Sequence, residues 1–361
     1  MARALPIMVM AGVAMGLGPL VVAEAVAPGL EVECPGLAQL TVDGLALCTH
    51  GADTAPAAAA GGNGAGAPVP RRALGCIGNG VSGQRVEVLY LHGPSTTAAS
   101  SSRRAQVLRW VEQVEWTVSE SARRFGGERQ VRWRTSGCDL PITSVQLSSA
   151  ALGDFNDMVG ALRDRGYSRS DRTYLMFADD STYCGIATAP RDDGASNNRS
   201  DRTVGYARVD RACWDAGDKG YHSIAAHELL HTLGAVQSSA PNGTEGAHCT
   251  DAHDLLCYDD GTGGSVRTVC RDGDSSTYGA GDAYARLLDC RGDDYFHPAP
   301  RSGSYLDTHW NTADSARLHD PDAPPSSGTS GGGGGGGGGS SSKPPSPTKD
   351  PVGYAFWLIF G

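Results

Sequence analysis

The chain has 361 residues, with 30 Lys and Arg against 40 Asp and Glu for a formal net charge of −10, and is long enough for one sizeable domain with a proper core. The acidic balance and the lack of a Lys/Arg cluster exclude a phosphate track, and with it a nucleic-acid partner. Heavy use of Gly (50) and Pro (20), with charged residues at only 19 %, implies a globular centre with loop-rich flanks.

Residues 1–27 have the make-up of an export signal. Arg3 supplies a positive start, an apolar stretch runs from Ala4 to about Val22, and Ala23-Glu24-Ala25 gives a small-residue cleavage pattern. Its Gly and Pro content weakens it as a membrane span, so no stable insertion is expected once the signal is removed. All ten cysteines lie beyond it, with no CxxC pair, and disulfides in an oxidising, extracellular compartment are the simplest account. A short segment with Cys34 and Cys48 follows, and the Ala/Gly/Pro stretch Ala52–Pro70 has the composition of a linker, the whole of 28–75 standing before the main domain. This segment has the position of a propeptide, in which Cys34 or Cys48 would be a metal-blocking thiol unless the two are paired.

The globular region is expected over 76–320. Arg85–His92 alternates and is rich in β-formers, which predicts a strand. Val107, Val111, Val114, Val118 and Ala122 line one face of a helix over Ser100–Phe125. Gln130–Thr135 and Ser144–Ser149 are further strands and Asp154–Arg165 a second helix, followed by strands at Arg172–Ala178 and Thr203–Val209. Tyr221–Val236 is a helix closed near Gly234. Downstream, regular structure thins and Cys, Asp and Gly become dense, which predicts an irregular, disulfide-stapled half. Asp320–Lys349 is low complexity with glycines at 331–339, and 321–361 is set apart as a tail.

The chemistry concentrates on the last helix. His227 and His231 stand at i and i+4, so both imidazoles leave one face and reach one ion. Glu228, beside the first ligand, is placed to take a proton from a metal-activated water. Such a site implies Zn2+ and peptide-bond hydrolysis, with a protein or peptide substrate as partner and the chain acting as a monomer. Catalytic zinc needs a third protein ligand and an open position. His248 is the preferred candidate, with Asp251 and Asp254 as alternatives; Gln237 is chemically a poor ligand.

The run His227-Glu228-x-x-His231-x-x-Gly234 resembles the start of the metzincin signature, and His248-Cys249 resembles the His-Cys pair ending the archaelysin motif. Asp254-Leu255-Leu256-Cys257-Tyr258 is similar to the metzincin Met-turn, with Leu256 in the methionine position and Gln237 where the third ligand usually stands. Segments Tyr183-Cys184-Gly185-Ile186, Arg208–Trp214 and Gly303–Asn311 resemble uncharacterised secreted bacterial metzincin-like proteins, a likeness covering about Cys76 to Leu318. The resemblance implies an α+β fold: a mixed twisted sheet with helices, an active-site helix and an irregular C-terminal subdomain. It also implies that Tyr258 binds the metal or steadies an oxyanion, and that Thr203–Asp210 is the edge strand pairing with substrate. The departures at Gln237 and Leu256 motivate an alternative, a catalytically inactive binding or cell-surface module. Acidic clusters at Asp259-Asp260, Asp272 and Asp274, and Asp289 with Asp293-Asp294 fit solvated loops better than structural Ca2+, since none has EF-hand spacing.

Overall fold

A computed structural model describes residues 33–53, 68–251, 254–267 and 287–323. The expected signal, most of the linker, Asp272, Asp274 and nearly all of the tail lie outside these residues.

Seven strands make one mixed sheet in the order β1-β2-β7-β8-β6-β3-β5. Its centre is parallel: β3 (Arg85–His92) pairs with β5 (Ile142–Gln146) and β6 (Arg172–Ala178), and β6 with β8 (Gly205–Asp210). The rest is antiparallel, β8 to β7 (Gly185–Thr188), β7 to β2 (Leu45–Asp53) and β2 to β1 (Ala38–Val42). Side chains alternate across the strands, so Val88, Leu175 and Ala207 join one core while Leu89, Met176 and Tyr206 join another on the opposite face. Near-continuous apolar runs in β3 and β6 follow from burial on both faces.

Helix α1 (Ser101–Arg124) is capped by Ser100 and covers the first face, with Val107, Val111, Val114, Val118 and Ala122 fully buried. Each buried valine contributes roughly 1.5–3 kcal/mol. The second face is covered by the short α2 (Ser149–Gly153) and α3 (Phe155–Arg163), through Met158, Val159 and Leu162. A one-turn helix α4 (Arg199–Arg202) precedes β8. Helix α5 (Ile224–Thr232) lies on the α1 side against β7 and β8, capped by Ser223.

Several sequence expectations shift. The Tyr221–Val236 helix is cut to α5, because Ser223 caps its start and Gly234, at φ +76°, turns the chain away. Asp154–Arg165 shortens to α3, with Asp154 itself the cap. Gln130–Thr135 keeps only β4 (Gln130–Val131), paired with β9 (Leu318–His319), and Ser144–Ser149 moves back to β5. Ala52–Pro70 is not all linker: Ala52 and Asp53 belong to β2, and Val69 is buried and donates its N–H to Gly217. Thr203–Asp210 is not an edge, since β8 is paired on both sides. The strand that β8 protects on one side is β7, whose other side takes β2.

The irregular C-terminal half carries short turns and a one-turn helix at Tyr305–Thr308. Disulfides join Cys34–Cys48, Cys76–Cys138, Cys184–Cys213 and Cys249–Cys257. Cys290 is also disulfide-bonded. The Cys34–Cys48 bond removes both thiols as metal blockers. No helix among the described residues is long and apolar enough to cross a membrane.

Candidate metal centre

Helix α5 aims His227 and His231 the same way, and their Nε2 atoms lie 3.0 Å apart. His227 Nδ1 sits 2.8 Å from the Leu255 carbonyl, a contact that orients the ring with Nε2 toward the cluster. His248 arrives from the loop after α5. Its Nδ1 is 3.2 Å from an Asp260 carboxylate oxygen, while its Nε2 is buried and unpartnered. Asp260 is itself held by Thr244 and Thr262. The His248 ring centroid is 5.4 Å from that of His227 and 4.9 Å from that of His231. His231 Nδ1 is a second buried nitrogen with no partner.

Of the alternative third ligands, Asp251 groups with Asp293 and Asp294 instead. Asp254 is buried elsewhere, accepting from the Tyr295 hydroxyl and the N–H groups of Leu256 and Cys290. Gln237 braces the turn after α5: its amide donates to the Gly234 and Pro190 carbonyls and accepts from Asp192 N–H. Leu256 is fully buried in the core that includes Ala226, Leu229 and Leu230. Tyr258 packs against His248 with ring centroids 4.2 Å apart and the planes tilted by 47°. The Cys249–Cys257 disulfide ties together the two strands of chain that carry His248 and Tyr258.

Glu228 is fully buried against β7. A Cβ added at Gly185 would lie 1.8 Å from its Oε1, so only glycine lets the carboxyl occupy this place. Burial and the nearby Asp53 push its pKa up to about 8, with His50 and His227 opposing.

Two residues that sequence reasoning passed over complete the cluster. His50 Nε2 is 3.1 Å from Glu228 Oε2, and its ring stacks on His231 at 4.0 Å. Asp53 reaches His227 Nε2 at 2.9 Å and accepts from the Tyr258 hydroxyl at 2.5 Å. Burial alone would raise the Asp53 pKa, but His227 and His50 hold it well below the usual range. Burial works to lower the His50 pKa, and Asp53 and Glu228 outweigh it to bring it to about 10. Burial, with His50 and His227, keeps His231 well below its usual value, and burial brings His248 to about 4 despite Asp260. Two buried neutral imidazoles are the form in which histidine ligates metal.

Several of these donors fall into groups whose ligand atoms lie within 4.8 Å of one another: His50, His231 and His248 in one, Asp53, His227 and His248 in another. A buried cluster of imidazoles flanked by carboxylates, with His248 Nε2 unpartnered, fits a metal ion. A signal for His50 and Asp53 was present: Asp43-Gly44 between two strand-like runs marks a hairpin, and the following strand ends in His50-x-x-Asp53.

The acidic loops are not simply solvated. Asp289 is buried and accepts backbone N–H groups from Asp293, Asp294, Tyr295 and Phe296, while Asp294 accepts from Asn242.

No protein-family model matches the chain, and no curated protein matches it. Among solved structures, wild-type OgpA from Akkermansia muciniphila is 14 % identical at a TM-score of 0.28, over 45 % of this chain and 50 % of that one. A catalytically inactive OgpA in complex with an O-glycopeptide substrate is 12 % identical at the same TM-score of 0.28, over 46 % of this chain and 51 % of that one. The chain thus spans about half the length of these structures, and a likeness at this level carries no argument about its chemistry.

Proposed function

We propose that the chain is a secreted zinc-dependent endopeptidase of metzincin type, with His227, His231 and His248 as metal ligands and Glu228 as general base. The observation that carries this reading is the convergence of three buried imidazoles, with the Nε2 atoms of His227 and His231 3.0 Å apart and His248 Nε2 unpartnered, next to the buried carboxyl of Glu228. Tetrahedral zinc with Zn–N bonds of about 2.0–2.1 Å needs ligand nitrogens roughly 3.3 Å apart, close to the 3.0 Å between His227 and His231. Zinc held there would polarise a peptide carbonyl and acidify a water.

The protein's own groups do the rest. The Leu255 carbonyl and Asp260 orient the rings of His227 and His248, keeping Nε2 of each turned inward. Glu228, beside the metal ligand His227 on the same helix, takes a proton from the attacking water and returns it to the leaving amine nitrogen. The Tyr258 hydroxyl, beside His248, donates a hydrogen bond to the developing oxyanion.

The test is zinc stoichiometry and cleavage of casein and a peptide library, before and after residues 33–53 are cut away, for the wild type, Glu228→Ala and His248→Ala. One zinc per chain in the first two, loss of zinc in the third and loss of cleavage in both variants are expected. Cleavage by Glu228→Ala equal to wild type, or a wild type that binds no zinc, overturns the reading.

A further inference from the structure

Residues 33–53 form a hairpin that enters the site from outside the helical framework. Its turn is Asp43-Gly44, with φ of +50° and +74°, the two-residue loop that matches strand twist. Val42 and Leu47 pack into the core shared with Met158, Val159 and Ile186. Beyond them β2 runs antiparallel along β7, with Thr49 opposite Thr188, Ala52 opposite Ile186 and Asp53 opposite Gly185. Thr49 Oγ1 donates to the Ala187 carbonyl, Ala189 N–H donates to the Cys48 carbonyl, and Ala187 N–H donates to His50 Nε2. Without β2, the free side of β7 would be the sheet edge beside Glu228, the kind of edge that takes an extended peptide by strand addition.

We infer that this hairpin is an inhibitory segment that holds the peptidase latent, with Asp53 as the carboxylate capping the metal and His50 restraining the base. The inference rests on the zinc-peptidase reading above. Three blocks coincide in one short piece of chain. Asp53 lies 2.9 Å from the ligand nitrogen of His227 and 3.9 Å from that of His248, the space where a metal and its water would sit. Asp53 also accepts from the Tyr258 hydroxyl and so occupies the proposed oxyanion donor. His50 pairs with Glu228 and lies flat on His231. Meanwhile β2 takes the hydrogen bonds of β7 that a substrate strand would need.

The means of release is equally plain in the covalent structure. The hairpin's disulfide, Cys34–Cys48, is internal to it, so it staples the hairpin and does not tether it to the domain. Its C-terminal connection is the stretch 54–67, all small, uncharged residues: Thr, Ala, Pro, Gly and Asn. A single cut between the hairpin and the rest of the chain leaves 33–53 bound by non-covalent contacts alone.

The experiment uses the full chain with a site-specific protease sequence inserted within 54–67. Peptide turnover is measured before and after cutting, and after the hairpin is separated by gel filtration. In parallel, a synthetic disulfide-closed 33–53 peptide is titrated calorimetrically into the cut protein, in zinc-loaded and chelated forms, as wild type and Asp53→Ala. Expected are a rise in turnover of tenfold or more on cutting and peptide binding at least tenfold tighter with zinc than without. Asp53→Ala should erase that zinc dependence, a readout that needs no activity. Full turnover by the intact chain overturns the inhibitory role while leaving the peptidase reading intact. Peptide binding indifferent to zinc and to Asp53 overturns the metal cap. Zinc-dependent, Asp53-dependent binding without turnover in either form supports the cap and refutes the peptidase.

Discussion

Gly185→Ala tests whether the position of Glu228 sets the rate. An added Cβ would lie 1.8 Å from Glu228 Oε1, 2.5 Å from Cδ and 2.9 Å from Cγ. Ordinary contact needs well over 3 Å, so the carboxyl must retreat by roughly 1.5 Å or β7 must move by as much. Neither is easy: Glu228 is on a fully buried helix and Gly185 is paired with Val209 on one side. A misplacement of about 1 Å in a catalytic group costs on the order of 100-fold, and overpacking typically costs about 1–3 kcal/mol of stability. The variant should therefore bind zinc stoichiometrically, melt a few degrees lower, and turn over peptide about 100-fold more slowly than wild type treated identically. Peptide hydrolysis, zinc content and thermal unfolding read the three quantities. An unchanged rate refutes the argument that this glycine exists to seat the base; lost zinc together with lost activity shows a distorted site instead.

Other outcomes follow from neighbouring contacts. Asp260→Asn should weaken zinc binding by roughly 10–100-fold, because the partner that orients His248 becomes neutral; competition with a chromophoric chelator measures it. Replacing both Cys249 and Cys257 with Ser should lower stability by about 2–3 kcal/mol for a loop with a sequence separation of 8 and loosen His248 and Tyr258, seen in denaturant unfolding and zinc affinity. Glu115 is buried, and burial lifts its pKa from 4.5 to about 7 against hydrogen bonds from Trp133 and Val131. The folded chain therefore holds a proton that the unfolded chain has lost between those pH values, and stability falls as pH rises from about 4.5 to 7, then levels. Glu115→Gln should remove this residue's share of that slope, matching wild type near pH 4 and exceeding it at pH 8 by on the order of 3 kcal/mol, as denaturant unfolding across pH would show; parallel curves refute it.

What the sequence revealed and what it hid divide along physical lines. Strands β3 and β6 are legible to the residue, Arg85–His92 from its alternation and β-formers and Arg172–Ala178 from the near-continuous apolar run of a strand buried on both faces. Helix α1 was legible because only a helix puts Val107, Val111, Val114 and Val118 on one face. His227, Glu228 and His231 stood out because their spacing is local. His248 could only be ranked above Asp251 and Asp254, since a loop that returns to the helix leaves no period. The structure brings His248 to the pair and turns both carboxylates toward other partners.

The hairpin was missed for a different reason. Alanine and glycine dominate the chain around it, and its composition resembles the linker that follows, so composition alone assigns Ala52 and Asp53 to that linker. What separates the two is long-range. Asp53 is a strand residue because β7 offers it a partner at Gly185, and it is a functional residue because His227 lies 2.9 Å away, across a sequence separation of more than 170 positions. The same contacts argue that the hairpin's place is conditional. The side chains of Asp53, His50 and Glu228 are buried and paired with one another. Removing one member of such a network leaves the others desolvated and unpaired, at several kcal/mol. In a permanent structural element that interdependence is a liability. In a segment that leaves, it is resolved at a stroke, because water and substrate reach Glu228 as soon as the carboxylate and imidazole depart.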